Sequence, residues 1–174
     1  MQIALLETGG TINGIIGPDD ASPDESRVLH WLNEMSGRLS LQVSAQLLVM
    51  KDSRAMTDDD RQALAVAIAQ TPADHILIPH GTYTMPQTGV YLRAQLDPIV
   101  QQKCIVLVGS MIPLNDPDSD APQSLEFAIE TLRSGMPGVW IAMNKTVWHP
   151  GDVIKDLRTG DYVSRVRVQE KNKR

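Results

Sequence analysis

Five apolar runs recur along the chain, and each ends in residues that are typical of turns. The runs read IALLE, LQVSAQLLVM, HILIP, CIVLVG and VWIAM, and segments with helical patterns lie between them. Strands that alternate with helices form parallel sheets, because each helix carries the chain back to the edge where the next strand starts. We therefore predict an α/β fold of the Rossmann-like or flavodoxin-like kind, with three layers: a mainly parallel sheet and helices on both of its faces.

Four helices are predicted from their start and stop signals. The first begins after Ser22 as N-cap, with Glu25 completing a capping box, and ends near Gly37. The second begins after Thr57, whose hydroxyl can cap a first turn that carries three aspartates, and ends before Pro72. The other two are predicted over residues 86–95 and from residues 120–122 through QSLEFAIETLRSG.

The continuity of this pattern predicts one domain. The chain has 174 residues and shows no internal repeat, low-complexity tract or linker. That length supports one substantial core but would be cramped for two. We place the domain at residues 1–165, and we expect the basic end SRVRVQEKNKR to form a last short strand and then a solvated tail over residues 166–174.

Charge and composition exclude several classes of partner. The formal net charge is −5, and no basic block interleaves with aromatic residues before the last ten residues, so we expect no nucleic-acid partner. No apolar run approaches the roughly 20 residues of a membrane helix, and the N-terminus lacks a charged leader and cleavage site, so we expect no membrane partner. The single cysteine, Cys104, excludes an internal disulfide, and a cytoplasmic location is predicted.

The predicted topology brings two polar loops together. In parallel α/β sheets, ligands bind outside the carboxyl ends of the strands, where successive crossovers leave in opposite directions. If the strand order is 2-1-3-4-5, this crevice lies between the first and third strands. The segments that leave those strands are TGGTING and HGTYTM, so we expect the two loops to face each other.

The loop residues favour nucleophilic chemistry over cofactor binding. The glycine spacing is not that of a dinucleotide fingerprint, and no lysine follows as a phosphate-binding loop requires, so no cofactor is expected. A threonine hydroxyl can act as a nucleophile once a base activates it. His80 and Lys155 are the candidate bases. A structural role remains open for both, since a histidine at a strand end is often only hydrogen-bonded and a single lysine is often solvated.

In order along the chain, five segments resemble the bacterial-type L-asparaginase family. They read TGGTI, KDSRAMT, HGTYTM, VGSMIPLNDPDSDAPQSL and MNKTVWHPGDVIK. The resemblance covers essentially the whole chain, but only the larger N-terminal domain of the usual two-domain enzyme. It implies a short-chain, single-domain form, or a domain that has lost its partner. The implied activity is hydrolysis of asparagine, and of glutamine more weakly, by a homo-oligomer, a dimer or tetramer.

The resemblance also implies roles for individual residues. Thr11 matches the nucleophile that forms an acyl-enzyme, Thr82 the second catalytic threonine, and Lys155 the lysine that assists it. Ser53 matches the serine that holds the substrate's α-carboxylate. The other substrate-binding positions that it implies are Gly10, Asp52, Gly81, Tyr83 and Ser110. Neither a metal nor a cofactor is implied.

Tyr83 departs from the family pattern. The family carries at this position an aspartate that holds the substrate's α-ammonium group, and a phenol is neutral at pH 7. We expect weaker amino-acid binding, by roughly 10- to 150-fold. The family's loop tyrosine, which contacts the nucleophile, is also missing from residues 13–30. One hypothesis is that Tyr83 supplies this phenol from the opposite loop.

The missing second domain is a further departure, because in the family it contributes a carboxylate to the neighbouring subunit's site. Four carboxylates are candidate replacements by position, although a helix-start or solvated role is favoured for each: Asp19, Asp20, Asp24 and Glu25.

Two alternatives to an amidohydrolase stay open. One is a non-catalytic domain that keeps a pocket for a small ligand. The other is metal binding at NDPDSDAP, where alternating aspartates resemble an oxygen-ligand loop. The glycine and glutamate of a calcium EF-hand are missing there, so a turn and helix cap are favoured, and no metal site is predicted.

Overall fold

A computed structural model describes residues 1–166 of the chain. Its main sheet has six strands in the order β2-β1-β3-β4-β5-β6, and β7 and β8 form a separate antiparallel pair. The neighbours from β2 to β5 run parallel, whereas β6 is antiparallel to β5. The strands are β1 (Gln2–Gly9), β2 (Gln42–Lys51), β3 (His75–Pro79), β4 (Cys104–Val108), β5 (Gly138–Met143), β6 (Thr146–Trp148), β7 (Val153–Lys155) and β8 (Tyr162–Ser164).

Four helices cover the two faces of the sheet, which confirms the predicted α/β architecture. They are α1 (Arg27–Leu39), α2 (Asp58–Gln70), α3 (Met85–Gln95) and α4 (Ala121–Arg133). Side chains of α1 and α4 share one apolar core with one face of the sheet. Those of α2 and α3 share a second core with the other face, which also receives residues of β7 and β8. Within residues 1–166, no helix is long and apolar enough to cross a membrane.

The predicted start of the first helix was wrong. Helix α1 begins after Ser26, whose hydroxyl accepts a hydrogen bond from the Leu29 N–H at 2.8 Å. Ser22 cannot cap it, because its hydroxyl donates instead to the carbonyl of Met50 at the end of β2. The helix also runs past Gly37, and it ends at Ser40, which adopts a left-handed conformation.

The second helix begins and ends as predicted. The Thr57 hydroxyl accepts from the Asp60 N–H, and the Asp60 carboxylate accepts from the Thr57 N–H, so the two residues form a reciprocal capping box. Lys51, the last residue of β2, pairs with the same carboxylate at 2.9 Å. Helix α2 is therefore fixed to the carboxyl end of β2, beside the predicted crevice.

The carboxyl end of the chain is described only in part. The predicted last strand and tail span residues 164–174, and β8 ends at residue 164. Residues 167–174 lie outside the described part of the chain, so the boundary of the tail stays a prediction.

Candidate active site

Three loops meet at the carboxyl ends of the central strands. The confirmed strand order makes β1 and β3 parallel neighbours. A Cβ atom on Gly10 would lie 2.3 Å from the backbone nitrogen of Gly81, and one on Gly81 would lie 2.8 Å from the hydroxyl of Ser53. Gly10 also has φ +81°, a backbone angle that residues with a side chain rarely adopt. Glycine at these two positions is what allows the loops after β1, β2 and β3 to touch.

Lys155 and Thr82 form the central pair of this crevice. Lys155, the last residue of β7, donates from Nζ to the Thr82 hydroxyl at 2.7 Å, and Thr82 is almost fully buried. Burial lowers the pKa of Lys155 below its ordinary value, and the nearby charge of Arg54 lowers it further, although Asp52 opposes the shift. A lysine with a lowered pKa is a better proton acceptor at neutral pH.

Tyr162 also holds Thr82, and sequence reasoning did not assign it a role. Its hydroxyl donates to the Thr82 carbonyl at 2.7 Å. The side chain is buried, and burial raises the pKa of its phenol, so the phenol stays a hydrogen-bond donor. β7 and β8 together thus contact both the side chain and the backbone of Thr82. The turn-bounded run DYVS was the available signal for a buried strand here.

Thr11 lies at the start of a single 3-10 turn, Thr11–Asn13, that follows β1. The turn ends at Gly14, which adopts a left-handed conformation. Thr11 is half-buried, and within residues 1–166 its hydroxyl makes no hydrogen bond. This hydroxyl is therefore available to an incoming group.

Beneath this turn lies a buried polar network that sequence reasoning missed. Glu7 of β1 is fully buried and accepts hydrogen bonds from the Asn13 amide, at 2.8 Å, and from the Ser26 hydroxyl. Burial raises the pKa of Glu7 to about 7, although the bonds from Ser26 and Asn13 lower it in part. Asn13 in turn accepts from the Arg27 N–H at 2.9 Å. The network links the Thr11 turn to the N-terminus of α1.

Asp52 and Arg54 form an ion pair in the loop after β2. Asp52 is 3% exposed, and it accepts from the Arg54 Nε at 2.8 Å, the Arg54 Nη2 at 3.0 Å and the Arg54 backbone N–H at 2.8 Å. Burial alone would raise the pKa of Asp52, but the hydrogen bonds from Arg54 outweigh it and the pKa is lowered. Asp52 is therefore an ionised carboxylate that Arg54 neutralises.

Tyr83 lies at the open side of the crevice with 41% of its surface exposed. The Arg54 guanidinium carbon lies 4.4 Å from the centre of its ring, and the Lys155 Nζ lies 4.0 Å from it. Both distances are typical of cation–π contacts. In the described part of the chain, no hydrogen bond joins the Tyr83 hydroxyl to Thr11, so the hypothesis of a replacement phenol gains no support from this geometry.

The two serines predicted to bind substrate lie behind the crevice wall. Ser53 and Ser110 are each 1% exposed. The Ser53 hydroxyl accepts from the Thr84 N–H at 3.3 Å, and the Ser110 hydroxyl donates to the Ile112 carbonyl at 2.6 Å. Both side chains stabilise the loops in this arrangement, and neither presents an exposed hydroxyl.

The surroundings of His80 are those of a structural residue and not those of a catalytic base. It is fully buried, with Nδ1 2.7 Å from the Gly81 carbonyl and Nε2 2.9 Å from the Thr88 hydroxyl. Because a carbonyl only accepts, Nδ1 carries the proton and Nε2 accepts. Burial lowers the pKa of His80 to about 4. Of the two candidate bases, the geometry favours Lys155.

Four carboxylates were candidate replacements for the one that the second domain supplies in the family. They lie outside the centre of the crevice. Asp19, Asp20, Asp24 and Glu25 are all exposed, and Asp20 accepts from the backbone N–H groups of residues 16 and 17 at 2.8 Å each. In the segment NDPDSDAP, the Asp120 carboxylate accepts from the backbone N–H groups of residues 111 and 112. Asp120 precedes α4 without capping it through its side chain. Among residues 1–166, no group of three metal-ligating side chains is arranged around a common point.

Comparison with known proteins places this geometry in context. Residues 2–163 match the family described as "Asparaginase, N-terminal". The L-asparaginase of Thermococcus kodakarensis is 30% identical over 149 residues, which are 82% of this chain and 44% of that protein. L-asparaginase 2 of Escherichia coli is 32% identical over 167 residues, which are 91% of this chain and 47% of that protein. The chain thus spans about half the length of these relatives.

Two further proteins extend this comparison. One is a relative that is not named an asparaginase, and the other is a solved structure. One of the subunits of glutamyl-tRNA(Gln) amidotransferase from Thermoplasma volcanium is 26% identical, over 84% of this chain and 36% of that protein. The crystal structure of a probable cytoplasmic L-asparaginase from Campylobacter jejuni has a TM-score of 0.73 at 27% identity, and the match covers 94% of this chain and 52% of that one.

Proposed function

The chain belongs to the asparaginase family, and on that premise we propose that it is an amidohydrolase that releases ammonia from the side-chain carboxamide of asparagine, and more weakly of glutamine. The observation that carries the proposal is the 2.7 Å contact between Lys155 and Thr82. It joins a lysine with a lowered pKa to a hydroxyl in the loop that touches Gly10. This arrangement supports proton transfer next to the half-buried Thr11.

The proposed reaction has two steps. In the first, the Thr11 hydroxyl attacks the carboxamide carbon while its proton passes to Lys155 through Thr82. Lys155 then returns this proton to the amide nitrogen, and the C–N bond breaks as ammonia leaves. An ester on Thr11 remains. In the second step, water attacks the ester while the same pair takes its proton. This proton then returns to the Thr11 oxygen as the C–O bond breaks and the acid leaves. Backbone N–H groups around Thr82 are the proposed donors to the oxyanion.

In the proposed site, the other predicted residues form the walls of the pocket. Gly10 and Gly81 let the backbones approach the carboxamide, and Asp52 sets the position of Arg54. Ser53 and Ser110 contact the substrate after a small rearrangement of their loops. We also propose a cytoplasmic homo-oligomer, as the sequence predicts. The relatives named L-asparaginase support the reaction class.

A direct assay tests the reaction and the nucleophile. Ammonia release from asparagine and glutamine is measured for the wild type, for Thr11→Ala and for the matched control Thr11→Ser. We expect activity in the wild type, a loss of roughly 10³-fold or more in Thr11→Ala, and partial retention in Thr11→Ser, which keeps a hydroxyl. No release from either amide at millimolar concentration would favour the alternative, a non-catalytic domain that binds a small ligand.

A further inference from the structure

The charges that line the crevice restrict which amides can enter it. Resting on the proposed amide hydrolysis, we propose that the site selects carboxamides that carry a carboxylate but no free ammonium group, because Arg54 and Lys155 both lie over the Tyr83 ring. Desamino or N-acylated relatives of asparagine belong to this class. Asparagine itself is then a slower substrate of the same site.

In its protonated form, Lys155 has no carboxylate in direct contact among residues 1–166, although Asp52 acts on it at longer range. Within residues 1–166, no carboxylate oxygen lies within ion-pair distance of its Nζ, which contacts the Thr82 hydroxyl and the Tyr83 ring instead. Asp156, the next residue, is engaged by the backbone and side chain of Arg158. A carboxylate on the ligand would supply the missing counter-charge.

The buried carboxylate that acts on Lys155, Asp52, already binds Arg54. Asp52 receives three hydrogen bonds from Arg54, with two on Oδ1 and one on Oδ2, and it is 3% exposed. An ammonium group could reach it only by displacing Arg54. Asp20, which also interacts with Arg54, uses its carboxylate to bind two backbone N–H groups. Asp52 is therefore closed to a ligand cation, whereas Asp20 is an exposed carboxylate whose two backbone bonds both fall on Oδ2.

The Tyr83 ring does not offer an alternative cation site. A tyrosine face attracts cations, but two of them already lie within 4.4 Å of this ring's centre. An ammonium group brought to the same place would meet two like charges at short range. The Tyr83 ring therefore does not replace a carboxylate as the partner of a ligand ammonium group.

Two ligands that differ in one group test this inference. Succinamate and L-asparagine carry the same carboxamide and the same carboxylate, and only asparagine has an ammonium group. Their dissociation constants are measured by isothermal titration of the Thr11→Ala variant, which lacks the proposed nucleophile. We expect succinamate to bind about 10- to 150-fold more tightly. Equal binding, tighter binding of asparagine, or no binding of either ligand at millimolar concentration would overturn the inference.

Ammonia release by the wild type from the same two amides separates this inference from the proposed function. Faster release from succinamate supports both. If neither amide releases ammonia while succinamate still binds more tightly, the hydrolysis proposal fails and the charge selectivity stands. If asparagine is both bound and hydrolysed preferentially, the hydrolysis proposal stands and the charge selectivity fails.

A pair of variants locates the selectivity at Tyr83. In the Thr11→Ala background, Tyr83→Asp introduces a carboxylate and Tyr83→Asn introduces the same shape without the charge. We expect the ratio of dissociation constants to move toward asparagine by about 10-fold or more in Tyr83→Asp relative to Tyr83→Asn. Identical ratios in the two variants would show that charge at this position does not select the ligand.

Discussion

At the scale of single residues, environment separates side chains that look alike in the sequence. His80 and Lys155 were both candidate bases, but His80 is enclosed and hydrogen-bonded on both ring nitrogens, whereas Lys155 contacts a hydroxyl of the crevice. Glu7 ends an apolar run, yet it is fully buried and carries a pKa of about 7. No pattern in the sequence distinguishes these cases, because burial depends on how the whole chain packs, even where the bonding partners are close in sequence, as they are for His80.

Glu7 gives a prediction about pH and stability. Its pKa rises from 4.5 to about 7 on folding, so the folded state holds more protons between these pH values, and stability falls as pH rises through that window. Glu7→Gln removes this titration, and its amide oxygen can accept from Asn13 while its NH2 group donates to the Ser26 hydroxyl. We expect the free energy of unfolding of the wild type, relative to the variant, to fall by roughly 2 to 3 kcal/mol between pH 5 and pH 8.

Urea unfolding of both proteins across that pH range checks the Glu7 prediction. Comparing wild type and variant at each pH cancels the titration of the other carboxylates. A constant difference between the two proteins would mean that Glu7 has the same pKa in the folded and unfolded states.

At the scale of elements, two short strands complete the crevice. β7 and β8 have three residues each, and they bring Lys155 and Tyr162 to the side chain and the carbonyl of Thr82. Segments of this length show no periodicity, so β7 was not predicted, and the last short strand was expected from residue 164 onward, where β8 ends. The position of Lys155 was predicted through the family resemblance, whereas Tyr162 had no predicted role.

Tyr162 is therefore a positioning residue for Thr82. Tyr162→Phe removes the phenol and leaves the buried Thr82 carbonyl without this partner. We expect a loss of about 1 to 3 kcal/mol in the free energy of unfolding, and a fall of roughly 10-fold in kcat with little change in KM, because Thr82 loses its orientation. A merely structural role would lower stability and leave kcat unchanged.

Tyr91→Phe is the matched control for the Tyr162 experiment. The Tyr91 hydroxyl also donates one hydrogen bond, to Gln62 at 2.8 Å, but it does so on the surface. We expect neither stability nor kcat to change beyond a few tenths of a kcal/mol. Equal effects of the two substitutions would show that the Tyr162 phenol has no specific function.

At the scale of the whole molecule, the architecture and the location of the crevice could both be predicted from the sequence. All five apolar runs form strands of one sheet in the predicted order. Four of these strands are buried and need continuous apolar segments, whereas the edge strand β2 is mostly exposed. The start of α1 was missed because Ser22 and Ser26 are equally good caps by type, and the contact of Ser22 with Met50 in β2 decides between them. That contact depends on the assembled fold.

The proposed reaction requires that Thr11 forms a covalent acyl-enzyme in a crevice where Lys155 and Thr82 move the proton. The most direct measurement is mass spectrometry of the protein quenched in acid during turnover of asparagine or succinamate. We predict a peptide containing Thr11 that gains the mass of the substrate less ammonia, and no such gain in Thr11→Ala. Ammonia release with no adduct on that peptide, or undiminished release by Thr11→Ala, would contradict this mechanism.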